Sequence, residues 1–236
     1  MAHIIPPGLE NYRGNKGVNG LYQWIINEIP PHQTYIELFL GSGAIYRYKK
    51  KAAVTYGIDC NRSVIDAWKP FEADDLIIWH ANALQILPSV PDLLEPVFIY
   101  LDPPYYYPSR KSAKAIYASE FSNTDHEKLI SMILKVKHNC MISCYDNLLY
   151  FSYLSDWRKK TFQVCVHGKV VNEIIYMNYP EPTELHDYSY LGTDCWDRQR
   201  IKRKISARLA TLNKLPALER NAIIQSILKK YPGSSI

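Results

Sequence analysis

The sequence predicts an α/β protein: a mostly parallel sheet that ends in an antiparallel hairpin, followed by a small helical appendage. Three observations carry this prediction. Short apolar runs alternate with helix-like segments between residues 35 and 144. A Gly-Ser-Gly turn closes the first of those runs. Later, two β-rich runs flank His167-Gly168-Lys169, the pattern of a tight hairpin.

The elements follow in order. Tyr35–Leu40 is a strand, Ala44–Lys50 a helix, Ala53–Ile58 a second strand and Ser63–Trp68 a short helix. Leu76–His80 and Val97–Leu101 are further strands, joined through Ala83–Leu87. Tyr105–Ser122 is polar and aromatic without periodicity, and its length marks it as a functional loop. Thr124 or Asp125 caps a helix running to about Lys137, with Leu129, Ile130, Ile133, Leu134 and Val136 apolar. Cys140–Cys144 is the fifth strand, and Thr161–Val166 with Val170–Asn178 forms the hairpin. Pro180 and Pro182 mark a boundary, giving a body of residues 1–180 and an appendage of 181–236. In the appendage, Arg198–Leu212 and Leu218–Lys230 read as helices, with Pro216 tolerated near the start of the second.

Charge is unevenly spread. The chain of 236 residues carries +5 overall. Asp197 to Lys230 holds ten Lys/Arg against two Asp/Glu, leaving 18 basic and 21 acidic residues elsewhere. A basic tail on a near-neutral body points to a polyanionic partner, against the plainer reading of a solvated helix face. The opening residues lack the basic cluster and apolar run of a signal peptide, and no segment has the length of a membrane span. Five scattered cysteines fit a reducing cytoplasm, and seven histidines without ligand spacing give no reason to expect a metal.

Asp102-Pro103-Pro104-Tyr105 directly follows the apolar strand Val97–Leu101. In an open parallel sheet that position faces the ligand crevice. An aromatic amino nitrogen is a poor nucleophile, because its lone pair is delocalised into the ring. Two acceptors aimed at its hydrogens, the Asp102 carboxylate and the Pro103 carbonyl, favour the tetrahedral nitrogen that attacks a sulfonium methyl, and paired prolines stiffen that backbone. Tyr105 is placed to stack on a base taken out of a duplex. The competing reading is a rigid turn with a capping aspartate. Glu37-Leu38-Phe39-Leu40-Gly41-Ser42-Gly43 joins a strand to a small-residue turn, which lets backbone approach a nucleotide-like ligand. Asp59, after the next strand, suits two ribose hydroxyls or, alternatively, caps the helix after Asn61.

Together these residues resemble the Dam-like adenine-N6 DNA methyltransferases, in which cofactor motifs precede DPPY. The likeness covers about residues 10–180. It implies a class I methyltransferase fold, consistent with the terminal hairpin, and S-adenosylmethionine as cofactor. Tyr12-Arg13-Gly14-Asn15-Lys16 is similar to the family's N-terminal motif, which implies Tyr12 and Lys16 near cofactor and target base. The resemblance assigns Glu37, Phe39, Gly41, Ser42 and Gly43 to the cofactor loop and Asp59 to the ribose. It assigns Asp102, Pro103, Pro104 and Tyr105 to catalysis, with Asp102 also beside the cofactor. Phe121, Asp125-His126 and Leu129 resemble the helix after the active-site loop, and Glu173 to Asn178 the strand near the family's end. Two departures are visible. Where members carry an acid against the cofactor's adenine this chain has Asn82, which serves as an uncharged acceptor or as a plain loop residue. Only 58 residues separate Gly43 from Asp102, so the large recognition domain of better-known members is missing.

Recognition therefore falls elsewhere. The loop offers Tyr106, Tyr107, Arg110, Lys111, Lys114 and Tyr117, for backbone tracking and stacking or, for Tyr106 and Tyr107, ordinary packing. The tail offers Arg198, Arg200, Lys202, Arg203 and Lys204, and resembles tails of phage-type relatives. The expectation is a cytoplasmic enzyme of a bacterial or phage-infected cell, methylating adenine N6 in double-stranded DNA without metal or membrane. The rivals are the same chemistry on RNA and a non-catalytic DNA-binding protein on this scaffold.

Overall fold

A computed structural model describes residues 4–10, 12, 14–17, 20–87, 95–106, 121–166 and 169–231, with backbone alone at 165, 166 and 169. The chain divides into two compact units, Met1–Ser189 and Tyr190–Ile236. In the first, seven strands form one sheet: β1 (Thr34–Glu37), β2 (Val54–Asp59), β3 (Leu76–His80), β4 (Val97–Leu101), β5 (Asn139–Tyr145), β6 (Arg158–Val166) and β7 (Lys169–Met177). Their order is β3-β2-β1-β4-β5-β7-β6. The first five strands run parallel, and β7 pairs antiparallel to both β5 and β6.

The central strands are buried on both faces, which is why they read as unbroken apolar runs. Every residue of β1 and β4 is buried. One face packs Ile36, Ile99, Leu101, Ile142 and Ile174 against α5 (Asn123–Ile133) and α6 (Leu148–Tyr153), through Leu129, Ile130, Ile133 and Tyr150. On the other, Tyr35 and Phe98 stack at 6.2 Å between centroids. A second cluster sets Leu40, Leu76 and Ile78 against Val64, Ile65 and Trp68 of α3 (Arg62–Trp68). Each such side chain contributes about 1.5–3 kcal/mol on leaving water. The remaining helices here are α1 (Leu21–Ile26), α2 (Ala44–Tyr48) and α4 (Ala83–Ile86).

Several boundaries differ from the sequence reading for local reasons. The first strand stops at Glu37, although Leu38 and Leu40 still donate to Tyr100 and Ile58 carbonyls. The cap of α5 is Ser122, neither Thr124 nor Asp125. Its hydroxyl accepts from the Asp125 N–H at 3.1 Å while the Asp125 carboxylate accepts from the Ser122 N–H at 3.0 Å, a reciprocal capping box. Helices α1 and α6 are additional to those read from sequence, and Asn147 caps α6 through the Tyr150 N–H. Residues 181–189 stay with the sheet unit. There His186 N–H donates to the Ile29 carbonyl and Asp187 accepts from the Lys50 N–H at 2.8 Å.

The second unit holds α7 (Cys195–Asn213) and α8 (Ala217–Lys230), neither with a buried residue. Asp194 caps α7 by accepting from the Asp197 N–H at 2.8 Å. Arg200 pairs with Asp197 at 2.6 Å, whereas Lys202, Arg203 and Lys204 lie exposed. Among the described residues, no helix is long and apolar enough to cross a membrane.

Candidate active site

The strand order reverses between β1 and β4: from β1 the sheet grows through β2 and β3, and from β4 through β5. At such a switch point the connections leave in opposite directions and open a crevice beyond the carboxyl ends. Glu37 ends β1, Asp59 ends β2, Asn82 follows β3 and Asp102 follows β4. The topology thus gathers four sequence-distant polar residues along one edge.

The glycine turn is tied down from both sides. Gly41 and Gly43 adopt φ of 45° and 61°, a conformation side chains disfavour. A Cβ at Gly41 would lie 2.5 Å from Tyr12 Cε1, and one at Gly43 would collide with the Trp68 indole. The Trp68 indole N–H donates to the Gly41 carbonyl at 2.8 Å. Asp59 accepts from the Gly41 N–H at 2.9 Å and the Asn61 N–H at 2.8 Å. Asn61 caps α3, accepting from the Ser63 N–H at 3.0 Å, so that helix does not draw on Asp59. Burial raises the Asp59 carboxyl above the usual range, against the backbone donors that favour its charged form.

A cleft of about 970 Å³, counting its open mouth, runs along this edge. Tyr12, Lys16, Glu37, Phe39, Gly41, Ser42, Gly43, Asp59, Asn82 and Asp102 all line it, so it unites the residues assigned to a cofactor. Phe121 and Asp125 join them, and the Phe121 ring meets Phe39 edge-on at 5.5 Å. Glu37 accepts from the Tyr35 hydroxyl at 2.9 Å and the Tyr46 N–H at 3.2 Å. Burial still pushes its carboxyl up to about 8. The Asn82 carbonyl oxygen already accepts from the Leu84 N–H at 2.9 Å as the cap of α4, which leaves it one lone pair for a ligand.

Behind Asp102 lies a cluster of ionisable groups. Lys16 Nζ stands 2.7 Å from Asp102 Oδ1 and 3.2 Å from Glu173 Oε1. The Tyr105 hydroxyl accepts from Lys16 and donates to Glu173. Burial alone would lower the Lys16 ammonium, but the two carboxylates outweigh it and hold it well above its usual value. Asp102 and Glu173 are both pushed up, chiefly by burial.

Pro103 is buried and Pro104 lines the cleft. Tyr105 corrects the sequence reading. Its ring is buried, 6% exposed, and packs edge-on to Tyr145 at 4.3 Å, so it offers no face for stacking a base. The ring instead delivers its hydroxyl to Lys16 and Glu173. Tyr106 sets its ring edge-on to His126 at 5.4 Å. Tyr107, Arg110, Lys111, Lys114 and Tyr117 lie outside the described residues, as does Arg13. Arg198, Arg200, Lys202, Arg203 and Lys204 all stand on α7 in the second unit. The member of the site that sequence reasoning missed is Glu173. Because β7 runs antiparallel and extends past the end of β5, Glu173 at its midpoint lies at the carboxyl edge, opposite Tyr145, the last residue of β5. A lone carboxylate opening Ile174-Ile175-Tyr176 was the available signal.

No protein-family model and no curated protein matches the chain. Solved structures do. N-methyltransferase NodS from Bradyrhizobium japonicum WM9 is 11% identical at a TM-score of 0.49, covering 71% of this chain and 99% of that one. TrmK of M. capricolum, solved with S-adenosyl-homocysteine, is 11% identical at 0.44, covering 89% and 95%. Five parallel strands, a switch point between β1 and β4, and an antiparallel β7 inserted before β6 make this the class I methyltransferase fold.

Proposed function

We propose that this chain transfers the methyl group of S-adenosylmethionine to the exocyclic N6 amino group of adenine in DNA. The observation that carries the reading is the convergence of Asp102 and Pro104 of the Asp102-Pro103-Pro104-Tyr105 motif on a cleft lined by Glu37, Gly41 and Asp59. The donor set fits such a cofactor. The Asp59 carboxylate suits the ribose diol, Glu37 an ammonium, and the side-chain-free backbone at Gly41 close approach of a nucleoside. The cofactor, when bound, supplies an electrophilic methyl group on a sulfonium.

The chain's own residues do the rest by position. Asp102 and the Pro103 carbonyl accept the two amino hydrogens and turn the nitrogen's lone pair out of conjugation. Lys16 keeps Asp102 in place, and Tyr105 braces Lys16. With Tyr105 buried, stacking of the base falls to Tyr12 at the cleft wall. Orientation and preorganised charge supply the rate, with no covalent intermediate.

DNA as the substrate rests on the resemblance of the motifs to Dam-like enzymes and on the exposed cations of α7. The loop of residues 105–122 is assigned base selection, and α7 mainly electrostatic affinity. Parallel assays on duplex DNA, single-stranded DNA and RNA, read by nucleoside analysis, test this. The expected product is N6-methyladenine from duplex DNA. Transfer to RNA alone would shift the reading to an RNA adenine methyltransferase, and cofactor binding without transfer to any of them to a non-catalytic DNA-binding protein.

A further inference from the structure

Buried carboxylates are ordinarily matched by cations one for one, because an unpaired charge away from water is costly. The wall behind Asp102 departs from that parity. One ammonium serves two carboxylates, with Lys16 Nζ 2.7 Å from Asp102 and 3.2 Å from Glu173. The side chains of Lys16 and Glu173 are 6% and 3% exposed, so solvent does not supply the missing charge. Among the described residues, Lys16 is the cation that acts on Glu173. On β5, Tyr145 lies opposite Glu173, next to Cys144; on β6, Phe162 lies opposite; and Tyr100 of β4 acts on Lys16. Tyr105 bridges Lys16 and Glu173 through its hydroxyl. Asp102 and Lys16 line the cleft, whereas Glu173 is not among its lining residues.

Methylating an amino nitrogen creates a proton problem. As the N–CH3 bond forms and the C–S bond breaks with its electron pair going to sulfur, the nitrogen becomes cationic and must shed a hydrogen. Resting on the proposed methyl transfer, we propose that Glu173 is a positioning residue that takes up this proton through Lys16. The nitrogen gives H⁺ to the Asp102 carboxylate. Asp102 passes it to Lys16 Nζ as Lys16 passes one of its own to Glu173. The step leaves a neutral methylated amine, an ionised Asp102, a three-hydrogen ammonium on Lys16 and a neutral Glu173 carboxyl, which returns its proton to water on product release. Tyr105 fixes the receiving oxygen. Burial, with the nearby Asp102 adding to it, raises the Glu173 carboxyl above the usual carboxylate range, which favours its taking up a proton.

The test is carboxyl titration of the full chain labelled with ¹³C at its Asp and Glu side-chain carboxyls, without cofactor or nucleic acid. Asp102 and Glu173 should titrate as a coupled pair, each resonance showing both steps. In Glu173→Gln, Asp102 should titrate in one step, lower by about one pH unit, because the like charge is gone and Lys16 serves it alone. The acid limb of single-turnover methyl transfer should move the same way. If Glu173→Gln does not fold, Tyr105→Phe keeps both carboxylates, and the Glu173 titration should move up for want of its donor. Independent titrations, or an Asp102 midpoint that ignores Glu173→Gln, would overturn the relay even with transfer intact. Coupled titration in a protein that methylates no nucleic acid would instead overturn the methyl-transfer reading.

Discussion

The two units of this chain spend their charge in opposite ways. In the sheet unit, Lys16, Glu37, Asp59 and Glu173 are buried, each held by named partners at the carboxyl edge of the sheet. In the helical unit, α7 and α8 hold no buried residue, and Lys202, Arg203 and Lys204 stand in solvent. Breaking a buried pair strands a charge and costs about 3–5 kcal/mol, whereas an exposed pair is worth about 0–1 kcal/mol and is screened by salt. Chemistry should therefore be set by the first region and insensitive to salt. Encounter with a polyanion should be set by the second and salt-dependent throughout.

The largest effect should come from the buried side. Asp102→Ala is expected to lower methyl transfer on the order of 10²–10³-fold or more while cofactor binding, read by calorimetry, stays largely intact. Near-normal turnover would break the assigned mechanism. Next, Asp59→Ala should weaken S-adenosylmethionine by roughly 1–3 kcal/mol, the cost of losing a charge-assisted hydrogen bond in a closed site. An unchanged dissociation constant would reduce Asp59 to a brace for the Gly41 loop.

How far these regions could be read from sequence follows the same division. Val97–Leu101 was legible because a strand buried on both faces leaves an apolar run of its own length. The turn at Gly41 and Gly43 and the acids at the strand ends were legible because the crevice position is a property of the topology. Glu173 was not, since it lies 157 residues from Lys16 in sequence and arrives beside it only because β7 pairs antiparallel to β5. Tyr105 differs for a related reason: a tyrosine at the crevice reads as placed to stack on a base, and its packing against Tyr145 of β5 follows only from the tertiary structure. The cap of α5 was misplaced because Asp125, at the third helical position, stands in for the Glu or Gln of the usual capping box.

Smaller effects sharpen the contrast from the exposed side. Replacing Lys202, Arg203 and Lys204 with alanine should weaken binding to all duplexes alike. It should also flatten the slope of log K against log salt by about 2–3, near 0.9 for each phosphate no longer neutralised. The set of methylated sites should persist; a scrambled set would give α7 a part in base reading. The smallest expected signal is at Glu37. With its carboxyl raised to about 8, it is largely protonated at pH 7. Pairing with the cofactor's ammonium would ionise it, so binding should release a fraction of a proton and tighten as pH rises from 7 to 9. Calorimetry in buffers of different ionisation enthalpy measures that release, and Glu37→Gln should abolish it. Proton uptake in the wild type would contradict the assignment.

The most direct test of the central claim follows the methyl group itself. Duplex DNA is incubated with the full chain and S-adenosylmethionine carrying a trideuterated methyl group, digested to nucleosides and analysed by mass spectrometry. The account predicts trideuteromethyl label on adenine N6 with wild-type protein and, over the same interval, on the order of 10²-fold less or lower with Asp102→Ala. Label on cytosine or on an adenine ring nitrogen, or label on N6 that Asp102→Ala leaves undiminished, would contradict it.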